Sequence, residues 1–209
     1  ALAGLPLQPV PPAEMARYVR GGKPGAVIVG SHVPKTTSQL KELLKLPGIA
    51  PIEVDVRRLP QDHATLLAEM LVRIEFIHTI GQTPVIFTSR TERNFPDQAA
   101  RLAFGEQVSG FLMDVVRGLP KTLGFLVSKG GITSNDVLSS GLALRTARLL
   151  GQILPGVSVV RCPPDHPRFA DMPVVIFPGN VGDDHALATV CQRLRQYDDQ
   201  GIPEAGKSS

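Results

Sequence analysis

The sequence predicts an α/β fold: a three-layer α/β/α arrangement around a mostly parallel sheet, with a short antiparallel excursion at one edge. Three observations carry that expectation. Short runs that are almost wholly apolar, AVIV at 26–29, PVIFT at 84–88 and VVIF at 174–177, have the length of strands buried on both faces. The segments between the strands repeat apolar residues at helical spacing, which supplies the crossovers a parallel sheet needs. Towards the C-terminal end, two strand-like runs flank Pro155-Gly156 with no room for a helix between them, so they pair antiparallel.

Residues 1–24 open with the Pro-rich ALAGLPLQPVPP, a linker-like composition, and continue into a short helical stretch around Ala13 to Arg20. The first residue is Ala, so the chain reads as a piece excised from a longer protein. The domain proper spans 25–200. Its first strand, Ala26 to Val29, ends at Gly30 and leads to a helix marked by Leu40, Leu43 and Leu44. Ile52 to Val56 is the next strand, and Asp62 is the expected N-cap of a helix carrying Leu67, Met70, Ile74 and Ile77, which Gly81 stops. Pro84 to Thr88 is the third strand. Beyond Pro96 a long helix aligns Ala100, Phe104, Val108, Phe111 and Val115 along one stripe. Leu123 to Ser128 is a fourth buried strand, after which two glycines lead into a helix opened by Thr133 or Ser134. Arg148 to Ile153 and Val157 to Arg161 form the antiparallel pair. Val174 to Phe177 is the last strand, broken by Pro178-Gly179-Asn180. A final amphipathic helix carries Leu187, Val190, Cys191 and Leu194 before a flexible polar tail at 201–209.

Composition narrows the function classes. A hydrophobic fraction of 43% and a mean hydropathy of +0.07 suit one soluble globular core. The 22 basic and 19 acidic residues are scattered without blocks of like charge, which speaks against nucleic acid as a partner. No apolar run is long enough for a membrane helix, and no leader pattern precedes the domain. Cys162 and Cys191 form neither a CxxC pair nor a metal-ligand spacing, and a reducing cytoplasm fits this usage best.

Chemistry in an open α/β sheet belongs beyond the carboxyl ends of the strands. Three such ends carry glycine turns: Gly30-Ser31 in VIVGSHVPKTT, Gly130-Gly131 in LVSKGGITSND, and Gly179 to Gly182 in VIFPGNVGDD. Each alone is ordinary turn and capping chemistry. Together, if they converge, they aim several N–H donors at one polyphosphate. Neither GxxxxGK[ST] nor a strand-linked GxGxxG is present, so both a P-loop and a nicotinamide dinucleotide fingerprint are missing. Lys129, directly after a strand, is expected to be solvated, with a phosphate contact as the alternative. Asp183 and Asp184 are expected to favour a helix dipole, with Mg²⁺ held through water as the alternative. His63 and His78 read as structural, His32 and His185 adjoin glycine turns, and Glu92 and Arg93 edge the crevice.

The set KGGITSNDV, LGQILPGVSV and VVIFPGNVGDDHAL, preceded by VIVGSHVPKTTSQL, resembles the C-terminal nucleotide-binding domain of the four-carbon acid sugar kinase family over residues 25–197. The resemblance implies ATP contacts at Ser31, at Gly130, Gly131, Ile132 and Thr133, and at Gly179, Asn180, Val181 and Gly182. It also implies Mg²⁺, a four-carbon sugar acid (threonate, erythronate or 3-oxotetronate class) bound by an N-terminal domain missing from this chain, and phosphoryl transfer to that acid. It leaves a homodimer open. The competing expectation is a non-catalytic module that binds a metabolite or nucleotide or mediates oligomerisation.

Overall fold

A computed structural model of the protein describes residues 9–90 and 95–195. Among them a short helix α1 (Pro12–Ala16) precedes β1 (Ala26–Val29), α2 (Pro34–Leu43), β2 (Ile49–Val54), α3 (Leu59–Thr79), β3 (Thr83–Thr88) and α4 (Gln98–Gly118). Then come β4 (Leu126–Lys129), α5 (Gly131–Asp136) running into a π-helical turn (Val137–Gly141), β5 (Arg148–Leu154), β6 (Val157–Arg161), β7 (Pro173–Phe177) and α6 (Ala186–Arg195). The strands form one seven-stranded sheet in the order β2-β3-β1-β4-β7-β6-β5. From β2 to β7 every pairing is parallel, while β6 and β5 run antiparallel at one edge, as the Pro155-Gly156 turn predicts.

Alternation along the central strands explains why both faces need helices. Ala26 and Ile28 enter a core shared with Met70, Ile74, Phe111 and Val115 of α3 and α4, whereas Val27 and Val29 enter a second core with Leu40, Leu43, Leu187 and Val190 of α2 and α6. All four residues of β1 are inaccessible to solvent. Burying side chains such as Val27, Ile28 and Val29 contributes roughly 1.5–3 kcal/mol each relative to leaving them exposed. The chain leaves β1 towards the β3 and β2 side and leaves β4 towards the β7 side, so the crevice of the fold opens between these two neighbours.

Several element boundaries differ from the sequence expectation, for local reasons. The strand expected at 123–128 is laddered only from Leu126, because the Gly124 N–H and carbonyl are taken by Pro24 and by the Arg20 amide. The same tie ends the helical stretch expected to Arg20 at Ala16. Strand β2 stops at Val54, since the Asp55 carboxylate accepts from the amide and guanidinium of Arg57 and turns the chain. Helix α3 opens with one extra turn from Leu59, and Asp62, at the non-helical φ −138°, ψ 31°, marks a kink after it: its carboxylate bonds Thr65 three residues on and pairs with Arg58, so the long run that carries Met70, Ile74 and Ile77 starts at Asp62 as expected. Residues 1–8 and 196–209, with the expected tail, lie outside the described residues.

Candidate functional site

Because β3, β1, β4 and β7 are parallel neighbours, the loops leaving their C-terminal ends emerge at one rim. The three glycine turns touch there. A Cβ added to Gly30 would stand 2.3 Å from Thr133 Oγ1, one on Gly130 3.0 Å from Ser31 Cβ, and one on Gly179 3.2 Å from Ser31 Oγ. Gly130 also has φ +122°, a conformation that side chains resist, and its amide donates to the Phe177 carbonyl at 2.8 Å. The Thr36 hydroxyl of α2 bridges Gly179 O at 3.1 Å and Ser31 Oγ at 3.2 Å. The turns after β1, β4 and β7 are therefore one packed unit, and side chains larger than hydrogen at Gly30, Gly130 and Gly179 would push it apart.

This unit floors a cavity of about 1550 Å³. Ser31, Gly130, Gly131, Ile132, Thr133, Gly179 and Asn180 all line it. Val181 and Gly182 do not. Val181 packs into the α2/α6 core and its carbonyl accepts from Gln39 Nε2 at 2.9 Å, while the Gly182 carbonyl accepts from Lys35 Nζ at 3.2 Å. The opposite wall is built by α4, with Phe95, Phe104, Val108 and Leu112. Gly131 has open space around it, and its neighbour Ile132 projects at the mouth. The first amides of α5 have no partner within the helix and sit at this floor.

Lys129 corrects the sequence expectation of a solvated side chain. It is the last residue of β4, flanked by β1 and β7, and is fully buried. Its Nζ donates to Pro178 O at 2.6 Å and Gly179 O at 3.2 Å and lies 3.9 Å from the centre of the Phe177 ring, its register partner on β7. Among the described residues no carboxylate pairs with it, and burial, helped by Lys35, lowers its pKa to about 8. The central strand gives its terminal side chain no route to water, so the ammonium instead holds the β7 turn from beneath.

His32 lines the cavity with Nε2 at 2.7 Å from Thr88 Oγ1, and burial followed by Arg90 lowers its pKa, so it is neutral at pH 7. His185, Asp183 and Asp184 stand outside the cavity; Asp183 Oδ1 accepts from the His185 amide at the start of α6. His63 bonds Asp114 and His78 bonds Thr122, both structural. Among the described residues no group of three His, Cys, Asp or Glu could hold a metal ion, and no helix is long and apolar enough to cross a membrane. Glu92 and Arg93 lie outside the described residues. The sequence reading missed Arg90, whose Nη1 donates to Ser31 O from the end of β3, and the α4 wall. A cation directly beyond a parallel strand, in TSR, was the available signal for Arg90.

The family described as nucleotide-binding C-terminal domain matches residues 26–187, a span containing every strand and all three turns. The chain belongs to this family. The match agrees with the resemblance to the C-terminal domains of four-carbon acid sugar kinases. Solved structures share the fold of this nucleotide-binding domain. A domain of unknown function (DUF1537) from Bordetella bronchiseptica, solved with bound citrate as a domain-swapped dimer, superposes with a TM-score of 0.68 at 18% identity, over 88% of this chain and 43% of its own. A Salmonella typhimurium LT2 protein described as a "putative tRNA synthase" gives 0.62 at 18% identity, over 86% and 42%. This chain thus spans less than half the length of either. No curated protein matches significantly.

Proposed function

We propose that this chain is the ATP-binding part of a kinase that phosphorylates a four-carbon sugar acid of the threonate, erythronate or 3-oxotetronate class, the acid being held by a separate N-terminal domain. The observation that carries the reading is the packing of the Gly30, Gly130 and Gly179 turns into one floor at the switch point of a parallel sheet. Such a floor offers backbone N–H groups to phosphates and lets them approach closely. Ligand pockets usually measure about 300–1,000 Å³. The cavity of about 1550 Å³ exceeds that range, leaving space beside a nucleotide for an acceptor presented by another domain.

Phosphoryl transfer of this kind depends on positioning and charge stabilisation, which fixed turns and a buried cation beneath them supply. Mg²⁺ would enter with the nucleotide and neutralise charge on its phosphates. The carboxylates along the cavity, Asp97 and Asp136, are already engaged by the Ala100 amide and the Ser109 hydroxyl. Asp97 and Asp136 would be the residues to hold the ion, through water.

The test is titration with ATP and ADP in magnesium buffer, comparing the wild type with Gly131→Val. Gly131 meets nothing within 4 Å, so valine fits the fold but projects into the phosphate floor. Binding lost in the variant supports the reading, and equal weak binding in both overturns it. With the acid-binding domain joined on, phosphorylation of a tetronate is expected; none with any four-carbon acid leaves only a nucleotide-binding module.

A further inference from the structure

The glycine floor leaves Arg90 unexplained. Its Nη1 donates to the Ser31 carbonyl, tethering the guanidinium to the β1 turn. Its Nε and Nη2 are buried and have no hydrogen-bond partner among the described residues. These two nitrogens form one edge of the guanidinium, the edge that gives two parallel N–H bonds to a carboxylate or phosphoryl group. Among the described residues, the buried unpaired nitrogens of Arg20, Arg161 and Arg168 occur singly. Among the described residues with buried unpaired guanidinium nitrogens, Arg90 leaves a complete fork unused.

The surroundings do not neutralise it. Glu53 is the acidic group whose field reaches Arg90, but no ion pair joins them among the described salt bridges. Arg90 lines the cavity with Ser31, His32 and Ser89, and the neighbouring imidazole is neutral. A partly buried cation with two covered, unmade bonds is costly unless a ligand completes it. In the strand order β3-β1-β4-β7, it stands at one end of the row of glycine turns, where a polyphosphate running along β7, β4 and β1 would finish.

We propose that the Nε–Nη2 edge of Arg90 receives an oxyanion of the bound ligand at the β3–β1 end of the cavity, either the terminal phosphoryl group of the nucleotide or the carboxylate of the acceptor. The proposal rests on the nucleotide reading of the cavity. Both nitrogens are covered in this arrangement, so the contact follows a rotation of the guanidinium about its tether to Ser31.

The experiment is calorimetric titration of the full chain joined to its acid-binding domain, and of its Arg90→Gln and Arg90→Lys variants, with ATP, ADP, AMP and threonate, each variant first checked by thermal melting. A phosphoryl contact gives an affinity loss in Arg90→Gln that grows from AMP to ATP and exceeds tenfold for ATP. A carboxylate contact gives a tenfold loss for threonate with the nucleotides unchanged. Arg90→Lys keeps a charge and a donor for Ser31 O but not the fork, and shows most of the same loss; it carries the comparison if Arg90→Gln does not fold. Equal losses for ATP, ADP and AMP, the pattern of a residue that only supports the Ser31 turn, overturn the proposal, as does no change for any ligand. A wild type that binds no nucleotide and no acid overturns both this and the reading beneath it, and the wild-type arm tells the two failures apart.

Discussion

The Nζ of Lys129 lies 2.6 Å from the carbonyl oxygen of Pro178, so a side chain on one central strand fixes the turn that leaves its neighbour. The same ammonium reaches Gly179 O, and Thr36 reaches that oxygen from the other side. The β7 turn is thus held by α2 and β4 at once. Its geometry depends on the charge state of a buried amine.

Two effects of opposite sign follow for pH. The folded-state pKa of Lys129, about 8, lies below the ordinary 10.5, so above pH 8 the unfolded chain binds a proton that the folded one has lost. Stability from this group therefore rises as pH increases from about 8 to 10.5, by roughly 2–3 kcal/mol between pH 7 and pH 10. Deprotonation also withdraws charge-assisted bonds from the β7 turn, so nucleotide affinity falls over the same window. Denaturation curves at pH 7 and pH 10 for the wild type and Lys129→Met should show the wild type gaining on the variant, while its ATP affinity drops and the variant's stays flat. A wild-type affinity that holds constant through pH 9 would remove Lys129 from the site.

The glycines of the floor separate packing from binding. Gly130→Ala forces a side chain onto a backbone at φ +122° and against Ser31 Cβ. It should lower stability by about 1–3 kcal/mol. Gly30→Ala meets Thr133 Oγ1 at 2.3 Å and should part the β1 and β4 turns, lowering both stability and affinity. Gly131→Ala has neither obstacle, so its melting temperature should stay at the wild-type value. Melting curves of the three variants check the ranking.

The layers and the sheet edges were legible in the sequence because strand burial writes itself as apolar runs and Pro155-Gly156 forbids a crossover. The glycine floor was legible as three separate turns, and only the parallel order of β1, β4 and β7 brings them together. Lys129 was not legible: its identity suggests solvent, and burial follows from the place of β4 between β1 and β7, which is a property of topology. Arg90 escaped for a related reason. Its partner Ser31 is 59 residues away, joined to it only through the pairing of β1 with β3. Asp62 was legible as the start of the long helix, and only the extra turn from Leu59, with Pro60 in its first positions, was not.

Cys162 and Cys191 are both buried, and burial raises their thiols to about 11 and about 12. A thiol so far above neutral pH presents almost no thiolate, the reactive form. The native protein should resist alkylation at pH 8 for hours, and both cysteines should react once denaturant is added. Labelling of either in the folded chain, followed by mass spectrometry, would reveal local opening around β6 or α6.

Val181 and Gly182 belong to the PGNVG segment, and their carbonyls, like that of Gly179, are tied to α2, here through Gln39 Nε2 and Lys35 Nζ. Gln39 is fully buried and also bonds Asp183 O at 2.7 Å, so one amide side chain anchors the loop that joins the β7 turn to α6. Gln39→Met keeps the volume and removes both bonds, leaving the Val181 carbonyl without this donor and the Asp183 carbonyl with the Ala186 amide, a loss of about 1–3 kcal/mol. Because neither Val181 nor Gly182 lines the cavity, the loss should appear in stability and in faster amide exchange over 181–184, with ATP affinity changed less than about threefold, under 1 kcal/mol. A tenfold drop in affinity with unchanged stability would instead place Val181 and Gly182 in contact with the nucleotide, and the boundary of the site would move from Asn180 to Gly182.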